Sequence, residues 1–192
     1  MPPITRPALL DFPDTIETER LILRGPRPGD GPAFNAACLD SLDGINQWLG
    51  FYRSGPPSVD DSEAFMRAQH AKFITRDELM YLVFRKDDGL LVAASGLHPR
   101  WQIPMFEIGY WCRTPYTGNG YVTEAVRAET DFAFRYLQAV RVYIRCDVEN
   151  HASAAVARRA GFTWEATLHF DARRDPEGTL SSTHFFALTR PE

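Results

Sequence analysis

The segment that most constrains this chain is a strand, a glycine turn and a long helix in direct succession. Residues 106–112 have the apolar alternation of a strand, and apolar residues recur at helical spacing from 122 to 137. Gly118 and Gly120 flank Asn119 between them, so the backbone curls there without Cβ clashes and several N–H groups point into one concavity. The first N–H groups of the helix and the positive end of its dipole add to them, which predicts a phosphate or pyrophosphate site.

Two common phosphate-binding motifs do not fit this turn. No lysine follows Gly120, which excludes the G-x-x-x-x-G-K-[ST] loop of nucleoside-triphosphate enzymes. Only two glycines are present, so the three-glycine dinucleotide fingerprint is also missing. Taken alone, the turn leaves a second interpretation open, in which the helix entry needs glycine for steric reasons only.

Length and composition favour one globular domain without stabilising cross-links. The chain has 192 residues, 44% of them hydrophobic, and its net charge of −4 argues against non-specific nucleic-acid binding. Cys38, Cys112 and Cys146 form neither a C-x-x-C pair nor a zinc-site spacing, so we expect no disulfide framework and no metal. The N-terminus lacks the apolar core of a signal peptide, and no apolar run has membrane-spanning length. We therefore expect a cytoplasmic protein that does not contact membranes.

Periodicity and turn residues predict about seven strands and four or so helices. Residues 1–16 are proline-rich and are expected to form an irregular arm. Asp60 is expected to cap a helix that ends near Phe73, with Glu63 completing a capping box. The aspartate–glycine pair at 88–89 predicts a hairpin. The predicted strands are residues 19–24, 79–85, 90–96, 106–112, 140–148, 163–170 and 183–188.

Four segments in order resemble one enzyme family. The run from Glu107 to Ala125, which includes the glycine turn, resembles the acetyl-CoA signature of GNAT acetyltransferases. Residues 149–153 and Ala160-Gly161-Phe162 are similar to the second motif of that family. The opening strand, residues 18–24, is similar to the start of the Rim-type branch, which includes the ribosomal-protein alanine N-acetyltransferases.

The resemblance implies a fold and a co-substrate. The fold is a mixed α/β GNAT fold in one domain, 1–192, with a central, mostly antiparallel twisted sheet whose middle pair of strands splays apart. The co-substrate is acetyl-CoA, whose pantetheine arm lies along the splayed strand and whose pyrophosphate sits on the turn amides. The residues carried over for this contact are Trp111, Cys112, Arg113, Gly118, Asn119, Gly120, Tyr121, Val122 and Asn150.

The reaction that the resemblance implies is attack of an amine on a thioester. It needs a base for the ammonium proton, donors for the developing oxyanion and an acid for the thiolate. Glu107 is the candidate base, because partial burial on the cofactor strand would make it a stronger base; the alternative is a carboxylate in solvent. Many members of the family have a tyrosine that acts as the general acid at the position of Ala157. Ser153 is therefore the candidate acid here; the alternative is a serine of the first helical turn without a catalytic role. The N–H of Cys112 is the candidate oxyanion donor, while its thiol has the pattern of a buried apolar residue.

The acceptor side is less defined by the sequence. Trp48 and Tyr52 belong to an aromatic stretch that resembles the acceptor pocket of the branch, although such a cluster also fits a core. His98 and Trp101 flank the loop before the Glu107 strand and are further candidates.

Four functions stay open at this point, one of them an interaction protein with a vestigial site, in which the glycine turn has no ligand; the other three use a coenzyme A thioester. The first is transfer of acetyl to a primary amine, either a protein N-terminus or a small amine. The second uses a longer acyl group such as succinyl, and the third is an acyl-CoA-binding module without catalysis, against which the pair Glu107 and Ser153 argues. A homodimer is an expectation from the resemblance alone.

Overall fold

A computed structural model describes residues 4–174 and 178–190, and in these residues one sheet of eight strands forms the centre of the molecule. The strands are β1 (Thr15–Glu17), β2 (Leu21–Arg24), β3 (Leu79–Arg85), β4 (Leu91–Arg100), β5 (Met105–Cys112), β6 (Arg141–Asp147), β7 (Thr163–Arg173) and β8 (Leu180–Thr189). Their order is β1-β2-β3-β4-β5-β6-β8-β7, and every neighbouring pair is antiparallel except β5 and β6. The predicted mostly antiparallel sheet is confirmed.

Helices cover the two faces of this sheet. They are α1 (Gly31–Leu39), α2 (Leu42–Trp48), α3 (Val59–Thr75), α4 (Tyr121–Tyr136) and α5 (His151–Arg159). Helices α1 and α2 and the middle of α3 pack through Phe34, Ile45 and Met66 on the β3–β4 face that carries Leu82 and Leu91. Helices α4 and α5 cover the opposite face. Helices α1–α3 pack on β3, β4 and the end of β5, and no helix in the described part of the chain covers the same face of β6 and β8.

The parallel pair at the centre of the sheet parts after three positions. Residues 105–107 of β5 pair with 141–143 of β6, whereas β5 continues to Cys112 and pairs with β4 along its whole length. The predicted splay is therefore present. Beyond Glu107, one edge of β5 has no neighbouring strand.

The N-terminal arm is more ordered than the proline content suggested. Residues 7–9 form a 3-10 turn and β1 begins at Thr15, which corrects the expectation of an irregular arm up to residue 16. Phe12 explains the anchoring, because its ring packs edge-on against Phe132 at 5.3 Å and lies under the Arg76 guanidinium at 3.8 Å. The eighth strand of the sheet is thus β1.

The cap of α3 also differs from the prediction. The helix begins at Val59, two residues earlier than expected, because Ser58 is the N-cap: its hydroxyl accepts the N–H of Asp61 at 3.0 Å, and Asp61 accepts the Ser58 N–H at 3.1 Å. The predicted capping pair, Asp60 and Glu63, was wrong. Glu63 instead accepts the N–H of Gly31 at 3.0 Å, which ties α3 to the start of α1.

The described residues contain neither a disulfide-bonded cysteine nor a membrane-length helix. Cys38, Cys112 and Cys146 are free thiols. No helix in the described ranges is long and apolar enough to cross a bilayer.

Helix α4 carries one carboxyl group into the core. Glu129 is fully buried, and the Ser95 hydroxyl donates to its Oε2 at 2.6 Å. Within the described residues, Glu129 Oε1 and the neighbouring Tyr81 hydroxyl are buried without a hydrogen-bond partner. Burial raises the pKa of Glu129 to about 8, against a smaller lowering by the Ser95 hydrogen bond. The carboxyl is therefore protonated at neutral pH.

This buried acid predicts that stability falls as pH rises. Below about pH 4.5 Glu129 is protonated both folded and unfolded; between there and about pH 8 the unfolded chain loses the proton and the folded chain keeps it. The free energy of unfolding should therefore fall over this window, on the order of 3–5 kcal/mol from this group, and level off above it. Glu129→Gln should remove that part of the slope in urea denaturation at pH 5 and pH 8. Asp131→Asn, an exposed neighbour on α4, should keep the wild-type slope, and an unchanged slope in Glu129→Gln would contradict the assignment.

Candidate active site

The glycine turn at the start of α4 presents main-chain donors to solvent. Gly118 and Gly120 both have φ of +80°, and Gly120 is the N-cap of α4. A Cβ at Gly118 would meet nothing within 4 Å, so backbone conformation rather than crowding requires glycine there. The Thr117 N–H is already donated to the Thr114 carbonyl at 3.2 Å, so the available donors begin at Gly118 and continue through the first turn of α4. This is the geometry of an anion site.

A polar tether from the other end of the chain holds this turn. Arg20 donates through Nε to Glu124 of α4 at 2.7 Å and through an Nη to the Asn119 carbonyl at 3.1 Å. Glu124 also accepts the Thr18 hydroxyl at 2.6 Å. Burial by itself would raise the pKa of Glu124, but the hydrogen bonds from Thr18 and Arg20 outweigh it and hold the pKa below its ordinary value. Arg20 contacts the Asn119 carbonyl, so the Gly120 N–H, which is trans to that carbonyl in the same peptide, points away from Arg20.

The sequence interpretation missed this tether. Thr18, Arg20 and Glu124 lie inside the two segments that carry the resemblance, but no spacing rule joins residues that are 104 positions apart. The ion pair borders a groove of about 790 Å³ between the β1–β2 connection and α4. That groove contains one predicted site residue, Gly120, and lies on the outer side of the turn.

Strand β5 supplies the second set of donors. The Arg113 N–H donates to the Val92 carbonyl of β4 at 2.8 Å. Since N–H groups alternate between the two edges of a strand, those of Ile108, Tyr110 and Cys112 point away from β4 into the gap left by β6. The Cys112 N–H thus faces the gap as predicted, whereas the Arg113 amide is used by β4.

The side chains at the end of β5 are structural. Trp111 packs edge-on against Phe34 of α1 at 5.9 Å between ring centroids. Arg113 forms an ion pair with Asp40 at 2.6 Å. Burial raises the pKa of the Cys112 thiol to about 11, so this thiol is not a nucleophile at neutral pH.

The helix face of the gap holds Ser153. Asn150 is the N-cap of α5, and its Oδ1 accepts the Ser153 N–H at 3.0 Å, which leaves the Asn150 side-chain nitrogen to contact a ligand. The Ser153 hydroxyl lies 2.8 Å from the Tyr110 hydroxyl, which also donates to the Ser153 carbonyl at 3.2 Å. Burial raises the pKa of Tyr110 well above its ordinary value. Tyr110 therefore stays protonated and fixes Ser153, a contact that the sequence did not indicate.

The opposite face of the gap holds Glu107. Its side chain shares the open face of the sheet with Gly109 and Trp111, as alternation predicted. Its surroundings are charged rather than apolar, because Arg145 of β6 donates to its Oε1 at 2.9 Å. Burial and the nearby Glu107 carboxylate raise the pKa of Tyr143, its partner on β6. The candidate base, expected to be partly buried, is 21% exposed and ion-paired with Arg145.

A cleft of about 500 Å³ lies on this open face. Its lining includes His98, Arg100, Glu107, Tyr143, Arg145 and Phe185. The cleft lies over the paired residues 105–107 and 141–143 and reaches Glu107, the last paired residue of β5, on the face opposite α5. Within the described residues, no group of three or more His, Cys, Asp or Glu side chains is arranged to hold a metal.

Of the four residues expected on the acceptor side, one lines this cleft. His98 does so. Trp101 packs edge-on against Phe106 and donates its indole N–H to the Arg76 carbonyl at 2.9 Å, so it belongs to the core on the other face. Tyr52 turns its hydroxyl toward Cys38 of α1 at 3.4 Å. Trp48 ends α2 and is half-buried outside the cleft lining. Aromatic content alone does not tell whether such residues pack in the protein interior or line a pocket.

Comparison with known proteins identifies the family. The family model described as an acetyltransferase (GNAT) domain matches residues 20–163. A relative from Bacillus subtilis (strain 168), named as a ribosomal N-acetyltransferase and called YdaF, is 30% identical over 153 residues, which are 77% of this chain and 80% of the relative.

Solved structures give the same fold. The microcin C7 self-immunity acetyltransferase MccE, in complex with acetyl-CoA and AMP, has a TM-score of 0.82 at 18% identity, covering 93% of this chain and 98% of that one. RimL, a ribosomal L7/L12 alpha-N-protein acetyltransferase in complex with coenzyme A, has a TM-score of 0.80 at 22% identity, covering 91% and 97%. At these identities the structural likeness concerns the fold.

The turn geometry predicts a selective loss of coenzyme A binding in Gly118→Ala. An alanine there is forced to positive φ at a cost of about 1 kcal/mol, and relaxation would turn the amides away from the anion. Affinity for coenzyme A in titration calorimetry should fall about tenfold or more. Gly89→Ala is the matched control, because Gly89 also has positive φ (+69°) with open space around it but lies in the β3–β4 turn. Equal affinities in the two variants would contradict the anion-site assignment.

The tether predicts a second, indirect effect on the same affinity. Glu124→Gln removes the charge that holds Arg20, so the turn should loosen and coenzyme A should bind several-fold more weakly. The measurement is titration calorimetry together with amide hydrogen exchange of residues 117–122, which should quicken. Glu63→Gln, which disturbs the Arg67 ion pair on α3, should alter neither quantity.

Proposed function

Because the chain belongs to the GNAT family of acetyltransferases and to its Rim-type branch, we propose that it transfers the acetyl group of acetyl-CoA to the N-terminal amine of a ribosomal protein. The observation that carries the proposal is the two-sided gap between β5 and β6. Candidate base and candidate acid lie on opposite faces of the sheet, and main-chain donors line the edge between them. An amine can therefore approach from one face while the thiol leaves toward the other.

The described residues suit the groups of acetyl-CoA. The turn amides of Gly118, Asn119 and Gly120, with the first turn of α4, would hold its diphosphate. The free edge of β5 would pair with its pantetheine amides in the manner of an added strand. Trp111, Arg113 and Asn150 remain proposed contacts along that arm.

The chemistry then follows from the positions of three groups. Glu107 accepts a proton from the attacking nitrogen, directly or through water, while the Cys112 N–H donates to the thioester oxygen as negative charge develops there. Ser153 donates its hydroxyl to the departing sulfur, held in place by Tyr110. No metal is needed for this direct attack.

The acceptor is the least constrained part of the proposal. The name of the 30% identical relative favours a ribosomal protein. The open cleft supports a chain terminus rather than an enclosed small molecule, because the face of β6 and β8 is uncovered. A homodimer, a cytoplasmic location and independence from nucleic acid and membranes belong to the same proposal, with the free thiols as support for a reducing compartment.

The test is release of coenzyme A thiol from acetyl-CoA with peptides that begin with Ser, Ala or Met, followed with a thiol reagent. Glu107→Gln should lower kcat about 100-fold or more, and Ser153→Ala about 10-fold, with acetyl-CoA affinity unchanged. Glu165→Gln is the matched control, because Glu165 also pairs with an arginine of the cleft, Arg141, but lies outside the gap. That variant should keep wild-type kcat.

Two outcomes would overturn the proposal in different ways. Saturable acetyl-CoA binding without thiol release across peptides and small amines would identify a binding module. Turnover with succinyl-CoA but not with acetyl-CoA would identify the longer-chain acyltransferase.

A further inference from the structure

The proposed reaction has to remove two protons from the acceptor nitrogen. An N-terminal amine has a pKa of about 7.7–8.0, so at pH 7 it arrives mostly as the ammonium ion. One proton leaves before the nitrogen can attack, and another leaves as the C–N bond forms. Glu107 accepts one proton at a time and is already paired with Arg145. The proposed reaction can therefore use a second proton acceptor in the cleft.

A carboxylate–imidazole pair stands beside Glu107 in the same cleft. His98 of β4 is the direct cross-strand partner of Glu107, so both side chains lie on the open face. The His98 ring leans over Gly109: a Cβ at Gly109 would come 3.1 Å from His98 Nε2. The glycine thus leaves room for the imidazole against the cofactor strand.

The other ring nitrogen is held by Glu78. His98 Nδ1 lies 3.4 Å from Glu78 Oε1, and Lys72 donates to Glu78 Oε2 at 3.0 Å. Burial by itself would raise the pKa of Glu78, but Lys72 and His98 outweigh it and keep the pKa below its ordinary value. An ionised carboxylate only accepts hydrogen bonds, so the proton of the neutral imidazole sits on Nδ1 and Nε2 keeps its lone pair. Nε2 lies beside Gly109 of β5, His98 lines the cleft, and about half of its side chain is open to water.

We propose that His98, oriented by Glu78, is a second general base of the acceptor cleft. The assignment rests on the proposed function. His98 Nε2 takes the first ammonium proton and releases it to solvent. Glu107 takes the second as the nitrogen lone pair forms the bond to the carbonyl carbon. The C–S bond breaks and the sulfur receives a proton from Ser153. The Ser153 alkoxide then takes a proton back from water and Glu107 releases its proton to solvent, so that one ammonium and one thioester give one amide, one thiol and one proton.

Two carboxylates lie beside His98. Glu78, backed by Lys72, faces it from the α3–β3 junction, and Glu107 faces it from β5. The remaining titratable or charged groups in the cleft are Arg100 of β4 and Arg141, Tyr143 and Arg145 of β6. Arg141 and Arg145 are engaged by Glu165 and Glu107.

The experiment uses pH to separate the two bases. His98→Ala should lower kcat about 10- to 100-fold at pH 7 with saturating acetyl-CoA and peptide. At pH 9 the amine arrives neutral and the first proton transfer is not needed, so the same variant should come within a few-fold of wild type. Glu107→Gln should stay impaired at both pH values. Millimolar imidazole should restore part of the pH 7 activity of His98→Ala and none of that of Glu107→Gln.

The matched control is His169→Ala, an exposed histidine of β7 outside the cleft lining, which should behave as wild type at both pH values. Wild-type kcat in His98→Ala at pH 7 would overturn the assignment and leave the proposed function standing. So would an equal loss at pH 7 and pH 9 without imidazole rescue, because that pattern belongs to a structural role. A wild-type protein inactive on every amine would refute the proposed function and this assignment with it.

Discussion

The parting of β5 and β6 is the constraint on which the rest of the site depends. Two parallel strands that pair over three positions and then diverge leave the N–H and C=O groups of one edge without a ladder partner. Unpaired backbone groups are costly when they are buried, so such an edge persists only where water or a ligand satisfies it. Strand β4 makes the splay tolerable by pairing with β5 along its full length, which keeps the exposed edge straight.

The gap also places the candidate base, Glu107, and the candidate acid, Ser153, on opposite faces of the sheet. Tyr110 and Glu107 are three residues apart on β5 and therefore point to opposite faces of the sheet. The Tyr110 face meets α5 and fixes Ser153, while the Glu107 face meets the cleft with Arg145 and His98. In the proposed mechanism, proton removal from the nitrogen and proton delivery to the sulfur would thus take place in different surroundings, one open and charged and the other half-buried. The main chain of β5 lies between these two environments.

Local sequence signals were enough for most of the elements, but not for β1 or for the start of α3. The glycine turn and the stripe of α4 were predicted correctly because they need only φ angles and helical spacing. The cap of α3 was assigned to the wrong residues because several Asp and Ser side chains near position 60 have similar capping preferences, and tertiary packing of Glu63 against α1 decides among them. Strand β1 was missed because its three residues are held by β2 and by the packing of Phe12 rather than by their own pattern.

The sequence by itself determined seven of the eight strands and their order along the chain, the glycine turn before α4, the family, and the alternation that puts Glu107 on one face with Gly109 and Trp111. All of these follow from spacing within a short stretch of chain or from matching stretches in order. Only the tertiary structure decided which distant side chains are in contact. Glu107 contacts Arg145 across 38 positions, Tyr110 contacts Ser153 across 43, and Arg20 contacts Glu124 across 104. Periodicity predicts the face to which a side chain points, but it does not predict which residues from distant parts of the chain lie beside it. The partners that set the charge and orientation of each group are therefore known only from the assembled sheet.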